Sequence, residues 1–139
     1  MAKDIYHQIV RKALEKDGWL VTHDPYLIPR NNKKPYEVDL GLEKFIAAEK
    51  GIESIAVEIK SFIGTSMSYD FHAAFGQYNV YRFFMSEKEN HRKLFLAISE
   101  ETYRTFFLDD DIKAICQHFS VNLVIFDVSN SEIVSWIKR

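Results

Sequence analysis

The central segment of the chain is Ser54-Ile55-Ala56-Val57-Glu58-Ile59-Lys60. Successive side chains of a strand point to opposite faces, so the apolar residues Ile55, Val57 and Ile59 are predicted to share one face. Glu58 and Lys60 then share the other face, ~7 Å apart along the strand. The segment predicts a strand with one face toward a core and with an acid and a lysine side by side on the other.

The preceding predicted strand carries a second acid. Glu37-Val38-Asp39-Leu40-Gly41-Leu42-Glu43 also alternates apolar and polar residues. If the two strands pair as a hairpin with a long connection, Asp39 approaches Glu58. Two carboxylates that close repel each other unless a cation lies between them. The alternative stays open that these charges mark a solvated sheet face, as charges on alternate strand residues usually do.

Oxygen ligands of this kind suit Mg²⁺ or Mn²⁺, which one or two carboxylates commonly hold while water and substrate phosphate complete the shell. The expected ligands are Asp39, Glu58 and the backbone carbonyl of Ile59. Lys60 beside the ion would orient or help deprotonate an attacking water and stabilise charge on a phosphate. The chemistry that this set predicts is metal-assisted hydrolysis of a phosphodiester.

The remaining periodicities predict helices around a mixed sheet whose central strands are apolar. The predicted elements are an amphipathic helix over 3–17, a strand over 19–23, a polar loop over 30–35, a helix over 68–86, an apolar strand over 94–98, a helix over 109–119, and strands over 123–128 and 133–137 that form a C-terminal hairpin.

Length and composition favour one domain spanning residues 1–139. Hydrophobic residues make up 47% of the chain, which is enough to build a core and argues against disorder. The net charge is -2, whereas a protein that holds DNA by its overall field is normally basic. Any nucleic-acid binding must therefore be local, weak or shared with a partner.

Cysteine usage and hydropathy predict a cytoplasmic protein without a membrane anchor. The single cysteine, Cys116, cannot form an internal disulfide and lies in an apolar helical pattern, so we expect a small buried core residue. Residues 1–6 are charged and show no secretory signal, and no run of about 18 apolar residues could span a membrane.

The acid and lysine pattern resembles a known nuclease signature. Asp39, followed after 18 residues by Glu58-Ile59-Lys60, is similar to the D…(D/E)-x-K motif of restriction-endonuclease-like nucleases. The resemblance implies an α/β fold of that class, with a mixed central sheet flanked by helices. Val38 occupies the position where the signature has proline, the residue of the motif that contributes least to the chemistry.

Two further positions match that superfamily. Gln77-Tyr78-Asn79-Val80-Tyr81 resembles the Q-x-x-x-Y motif of RecB-like nucleases, and Gln77 and Tyr81 share a helix face. Members of the superfamily often direct a polar residue of the first helix at the site, which implies a supporting role for His7. The plainer alternatives are a core tyrosine, a glutamine at the rim and a partly buried structural histidine.

Nearly the whole chain resembles the XisH family, the fdxN element excision controlling factors of cyanobacteria. The segments that carry the resemblance are 4–7, 16–19, 22–25, 56–62, 70–72, 74–78 and 133–137. The resemblance implies a part in the developmentally regulated, site-specific excision of a DNA element. It also implies a small companion protein, XisI, and a recombinase that is a separate chain.

Two hypotheses remain open at this level. The first is a Mg²⁺-dependent DNA endonuclease that uses Asp39, Glu58 and Lys60. The second is a catalytically inactive regulatory module that keeps the nuclease fold and binds DNA or the companion protein. The intact triad favours the first hypothesis, and the acidic net charge favours the second. A homodimer is one possibility by analogy with nucleases of this fold, which often pair to address two strands.

Overall fold

The computed structural model describes residues 3–47, 51–89 and 91–139. The elements in chain order are α1 (His7–Lys16), β1 (Leu20–His23), β2 (Tyr26–Arg30), β3 (Lys33–Val38), β4 (Leu40–Ile46), β5 (Gly51–Ile59), α2 (Met67–Lys88), β6 (Lys93–Ser99), α3 (Glu100–Thr102) with a π-helical turn (Tyr103–Phe107), α4 (Asp110–His118), β7 (Leu123–Asp127) and β8 (Glu132–Ile137).

A six-stranded mixed sheet with the order β1-β4-β5-β6-β7-β8 organises these elements. Strands β4 and β5 form an antiparallel pair, and β5, β6 and β7 run parallel. Parallel neighbours need crossover connections, which here contain α2 and the helices between β6 and β7. Strands β7 and β8 close the chain as an antiparallel hairpin. The predicted class, a restriction-endonuclease-like mixed sheet with flanking helices and a C-terminal hairpin, is confirmed.

The sheet separates two apolar layers. Ile55, Val57 and Ile59 point to the side covered by α1, as their alternation predicts. Ala56 faces the opposite layer, where α2 packs. Cys116 of α4 also belongs to that second layer and is 1% exposed, so its predicted role as a buried core residue is confirmed.

Helix α2 is the longest element, with 22 residues. It begins where the Ser66 side chain accepts a hydrogen bond from the Tyr69 amide, the usual N-terminal cap. One face of α2 packs on the sheet through Phe71, Ala74 and Tyr78. In the ranges 3–47, 51–89 and 91–139, no helix combines the length and hydropathy needed to cross a membrane.

The structure corrects the prediction between residues 30 and 43. Residues 30–35 are not a loop, because β2 and β3 form a two-stranded ribbon of their own. The turn is short: Asn32 adopts a positive φ of 53°, and the Arg30 Nε donates to the Lys34 carbonyl across it. Proline has no backbone N–H to donate. Pro35 is tolerated because the outer edges of a two-stranded ribbon have no neighbouring strand that requires a donor.

The predicted continuous strand over 37–43 is also wrong, because it breaks at Asp39. β3 ends at Val38 and pairs with β2, whereas β4 begins at Leu40 and pairs with β1 and β5. The chain changes sheets at this residue. The break is set by pairing between segments that are far apart in the chain. The local alternation of apolar and polar residues contains no information about that pairing. The helical segment over 100–107 was likewise not predicted.

Candidate functional site

The antiparallel register of β4 and β5 brings the two predicted acids together. Leu40 pairs with Val57, so Asp39 lies beside Glu58. The Asp39 amide donates to Glu58 Oε1 at 3.2 Å. The Ile59 amide in turn donates to Asp39 Oδ2 at 2.8 Å. Each carboxylate is therefore held by a backbone group of the other strand end.

Lys60 completes the cluster at the end of β5. Its Nζ lies 3.8 Å from Glu58 Oε2, and 28% of its side chain is exposed. The Lys60 backbone is fixed in the sheet, because its amide donates to the Ala97 carbonyl of β6. The Lys60 side chain is thus anchored at its backbone, and its ammonium end is open to solvent, as a group that contacts a substrate must be.

Burial makes the carboxylate pair hard to ionise. The Glu58 side chain is only 8% exposed. Burial raises its pKa well above the ordinary value, the charge of Asp39 raises it further, and Lys60 opposes both effects. Burial also raises the pKa of Asp39, against the hydrogen bond from the Ile59 amide. A proton or a cation between the two acids would relieve the repulsion.

The pair faces a cavity of about 250 Å³. Its lining contains more acids than bases. The acids are Asp4, Asp24, Glu37, Asp39 and Glu58, and the lysines are Lys3 and Lys60. Such a lining attracts a cation more readily than a bare phosphate.

The three predicted supporting residues, His7, Gln77 and Tyr81, all line this cavity. Among the described residues, the buried Oε1 of Gln77 has no hydrogen-bond partner, and neither has the buried Nδ1 of His7. Tyr81 is also part of the core, at 5% exposure. Burial raises the pKa of Tyr81 to about 12, and the charges of Glu58 and Asp39 add to the effect, so its hydroxyl stays protonated at neutral pH.

Three acids of the cavity, Asp4, Asp24 and Glu37, were not predicted from the sequence. Asp24 Oδ1 lies 2.8 Å from His7 Nε2, and its Oδ2 accepts from Arg11 Nη1 at 2.6 Å. Burial acts to raise the pKa of Asp24, but the hydrogen bonds and charges of Arg11 and His7 lower it overall. Asp24 therefore orients His7 in the cavity wall.

Asp4 ties the N-terminal segment to the site. Its Oδ1 accepts from the Tyr6 amide at 2.9 Å, and its Oδ2 accepts from the Ser61 amide at 3.0 Å. The bond to Ser61 fixes the backbone directly after Lys60. No spacing rule connects Asp4 or Asp24 with the triad. The signal that could have found them is that both lie in segments that carry the family resemblance.

The donor set fits a magnesium-type ion better than a transition metal. In the described part of the chain, no group of three or more His, Cys, Asp and Glu side chains converges on one metal position. Mg²⁺ does not need such a cage, because it retains several waters and takes one or two carboxylates together with substrate oxygens. Asp39, Glu58 and Ile59 all line the cavity, and the two carboxylates with the Ile59 backbone carbonyl would make up that smaller set.

Comparison with known proteins identifies the family. The family model described as XisH protein matches residues 1–134. The chain belongs to the XisH family. The XisH resemblance seen in the sequence is thereby confirmed over nearly the whole chain.

Solved XisH structures share the fold. The crystal structure of an XisH family protein from Nostoc punctiforme PCC 73102 is 37% identical, with a TM-score of 0.85, covering 97% of this chain and 100% of that one. A fdxN element excision controlling factor protein from Anabaena variabilis is 35% identical, with a TM-score of 0.87, covering 98% and 100%. Among curated proteins, none matches the chain.

Proposed function

We propose that this XisH family chain acts in the excision of a DNA element, through a metal-dependent site that hydrolyses phosphodiesters. One observation carries the proposal: the half-buried Asp39 and the buried Glu58 lie together against an open cavity, with Lys60 Nζ 3.8 Å from Glu58. A fold gains no stability from two like charges drawn out of water, so a functional reason for the pair is favoured. The name of the Anabaena variabilis relative, a fdxN element excision controlling factor protein, supports the biological setting.

Asp39, Glu58 and the carbonyl of Ile59 are the groups that would hold Mg²⁺ or Mn²⁺. When bound, such an ion polarises a phosphate and lowers the pKa of water. The chain's own residues do the remaining work. The Ile59 amide fixes the Asp39 carboxylate, and the Lys60 ammonium orients a water or stabilises developing charge on phosphate. Gln77 Oε1, which has no hydrogen-bond partner within the described residues, offers one more polar group to a ligand in the cavity.

DNA would approach from the side of the β2–β3 ribbon. Arg30, Lys33 and Lys34 lie on this ribbon, and the two lysines are exposed. Asp39 follows directly after β3 of this ribbon. Its cations can contact backbone phosphates locally, which suits a chain whose net charge is -2.

A second candidate function is a regulatory module without catalysis. The acidic cavity lining and the acidic net charge favour it, because both weaken contact with free DNA. In this case the cavity region would serve an XisI-like companion protein or a site-specific recombinase complex. A homodimer is a further partner arrangement to test under either function.

Calorimetric titration of Mn²⁺ and Mg²⁺ tests the proposal first. We expect saturable binding to the wild type, and loss of binding in Asp39→Asn and Glu58→Gln, which keep side-chain size while removing charge. Glu132→Gln is the matched control, because Glu132 is exposed on β8 and remote from the cavity lining. If the wild type binds neither ion, whether alone or with DNA and the companion protein added, the metal site is overturned.

Cleavage assays then separate the two functions. Lys60→Met should leave metal binding largely intact and abolish cleavage of DNA, with the companion protein present. If Lys60→Met supports excision as well as the wild type does, the catalytic proposal fails and the regulatory module is favoured.

A further inference from the structure

A second cavity, of about 220 Å³, lies away from the Asp39–Glu58 site. It is built from the C-terminal half of α2, the start of β6 and the residues just before β7. Lys93 at its rim pairs with Ile55, whereas Glu58 pairs with Leu96 three residues farther along the same parallel strands. The second cavity therefore lies at the N-terminal ends of the parallel strands β6 and β7, whereas the carboxylates lie at the C-terminal end of β5.

Four cationic side chains line this cavity: Arg82, Arg92, Lys93 and Arg139. No Asp or Glu is among its described lining residues. This concentration of positive charge is local, since the chain as a whole carries a net charge of -2.

The innermost cation is Arg92, whose side chain is 3% exposed. Its Nη1 donates to the Ile55 carbonyl at 2.8 Å, and its Nε lies 3.1 Å from Glu89 Oε1. Glu89 therefore compensates the positive charge of Arg92, although Glu89 itself does not line the cavity. Within the described residues, the cations of the lining that lack an acidic partner are therefore Arg82, Lys93 and Arg139.

Backbone carbonyls hold the other two arginines. Arg82 donates to the Phe119 and Ser120 carbonyls at 2.8 and 2.9 Å, and Arg139 donates to the Val121 carbonyl at 2.8 Å. These acceptors carry no full charge. Throughout residues 3–47, 51–89 and 91–139, neither arginine forms an ion pair, and Lys93 forms none either. The guanidinium groups are thus held in position with their charge uncompensated.

We infer that this cavity binds an oxyanion of the phosphate class. Arginine presents a planar fork that matches phosphate oxygens, and several cations around one cavity favour a dianion over a singly charged carboxylate. The cavity is large enough for a phosphate group with a few attached atoms. Inorganic phosphate and the terminal phosphate of a nucleic-acid strand share this chemistry. The inference is independent of the proposed function, because it uses none of the residues of the first cavity.

Titration of inorganic phosphate, followed by amide NMR spectra of the whole chain, tests the inference. The buffer contains EDTA, so that no metal ion at the first cavity can recruit phosphate. We expect saturable shifts at Ser120, Asn122 and Leu94, with weaker binding of acetate at equal ionic strength. A single-stranded oligonucleotide with a 5′-phosphate is compared with the same strand ending in a 5′-hydroxyl. If the 5′-phosphate strand shifts these amides and the 5′-hydroxyl strand does not, the phosphate of a nucleic acid is the ligand. If inorganic phosphate binds with the same affinity as the 5′-phosphate strand, the free anion is the ligand.

The variants Lys93→Gln and Arg139→Gln remove two exposed cations of the rim without disturbing Arg92. Each should weaken phosphate binding by about tenfold, as removal of one charge-assisted hydrogen bond does. Lys138→Gln is the control, since it removes the same charge next to the cavity but outside its lining. If phosphate causes no saturable shifts here, or if the control weakens binding as much as the rim variants, the inference is wrong.

Discussion

Replacement of Glu58 by glutamine should stabilise the metal-free protein at neutral pH. Glutamine keeps the oxygen that accepts the Asp39 amide hydrogen bond, and it removes the buried charge that lies beside the half-buried Asp39 carboxylate. Removing the charge that faces Lys60 costs little, because that ammonium is 3.8 Å away and partly solvated. Charge removal at a strained site of this kind contributes about 1–2 kcal/mol to the free energy of unfolding. For a chain of this size we expect Tm to rise by roughly 3–8 °C.

The pH dependence gives the prediction its sign. Burial, with the neighbouring Asp39 charge, raises the pKa of Glu58 in the folded protein above its ordinary 4.5. The folded state then holds a proton that the unfolded state releases, so the wild type is favoured at low pH and loses that stability as pH rises through the folded pKa. The advantage of Glu58→Gln should therefore be absent below about pH 4 and should grow toward neutral pH.

Thermal unfolding followed by circular dichroism from pH 4 to pH 8, with EDTA, measures this difference. Glu132→Gln again serves as the control and should follow the wild type at every pH. In a separate series without EDTA, saturating Mg²⁺ should stabilise the wild type by about 2.7 kcal/mol at a concentration of 100 times Kd, and should leave Glu58→Gln unchanged. A variant that is less stable than the wild type at pH 8 would refute the reasoning that the pair is electrostatically strained.

Three further predictions concern other parts of the molecule. Tyr78→Phe removes a hydroxyl that bonds two buried backbone groups, at 3.1 and 3.0 Å, and should lower the free energy of unfolding in urea by about 1–3 kcal/mol without changing metal binding. Lys33→Gln and Lys34→Gln should make the slope of log affinity for DNA against log salt shallower by about 0.9 for each phosphate that the lysine no longer neutralises, and an unchanged slope would exclude the β2–β3 ribbon as a DNA-binding surface. Asp24→Asn should destabilise the protein at pH 7 by about 1–3 kcal/mol, because the lowered pKa of Asp24 marks stability that is present above its ordinary pKa and disappears as pH falls through the folded pKa. Urea unfolding at pH 7 and pH 3 checks this, and an equal destabilisation at both values would contradict a charge-based role for the ion pair with Arg11.

Local periodicity was sufficient for the central part of the fold. The alternation of Ile55, Val57 and Ile59 against Glu58 and Lys60 is a property of a single strand, and the structure keeps it. The apolar run over 94–98 likewise lies within β6, between β5 and β7. These patterns could be predicted because the pleat of one strand fixes which side chains share a face.

The approach of Asp39 to Glu58 needed one additional assumption, that their strands pair. The register confirms the pairing. The bend at Asp39 follows from the choice of strand partners, which the local pattern does not specify. Val38 and Leu40 find partners in different sheets, and those partners lie elsewhere in the chain. A strand's alternation specifies its faces and leaves its partner undetermined.

The sequence by itself therefore determined the strand faces, the acid–lysine pattern and the apolar segments, because each depends on neighbours along the chain. Tertiary structure alone decided that Asp4 holds the backbone after Lys60 and that Asp24 orients His7. It also gathered the cations of the second cavity from α2, β6 and the end of the chain. Such groupings depend on contacts between residues far apart in sequence, and only the packing of the sheet against its helices brings those residues within bonding distance.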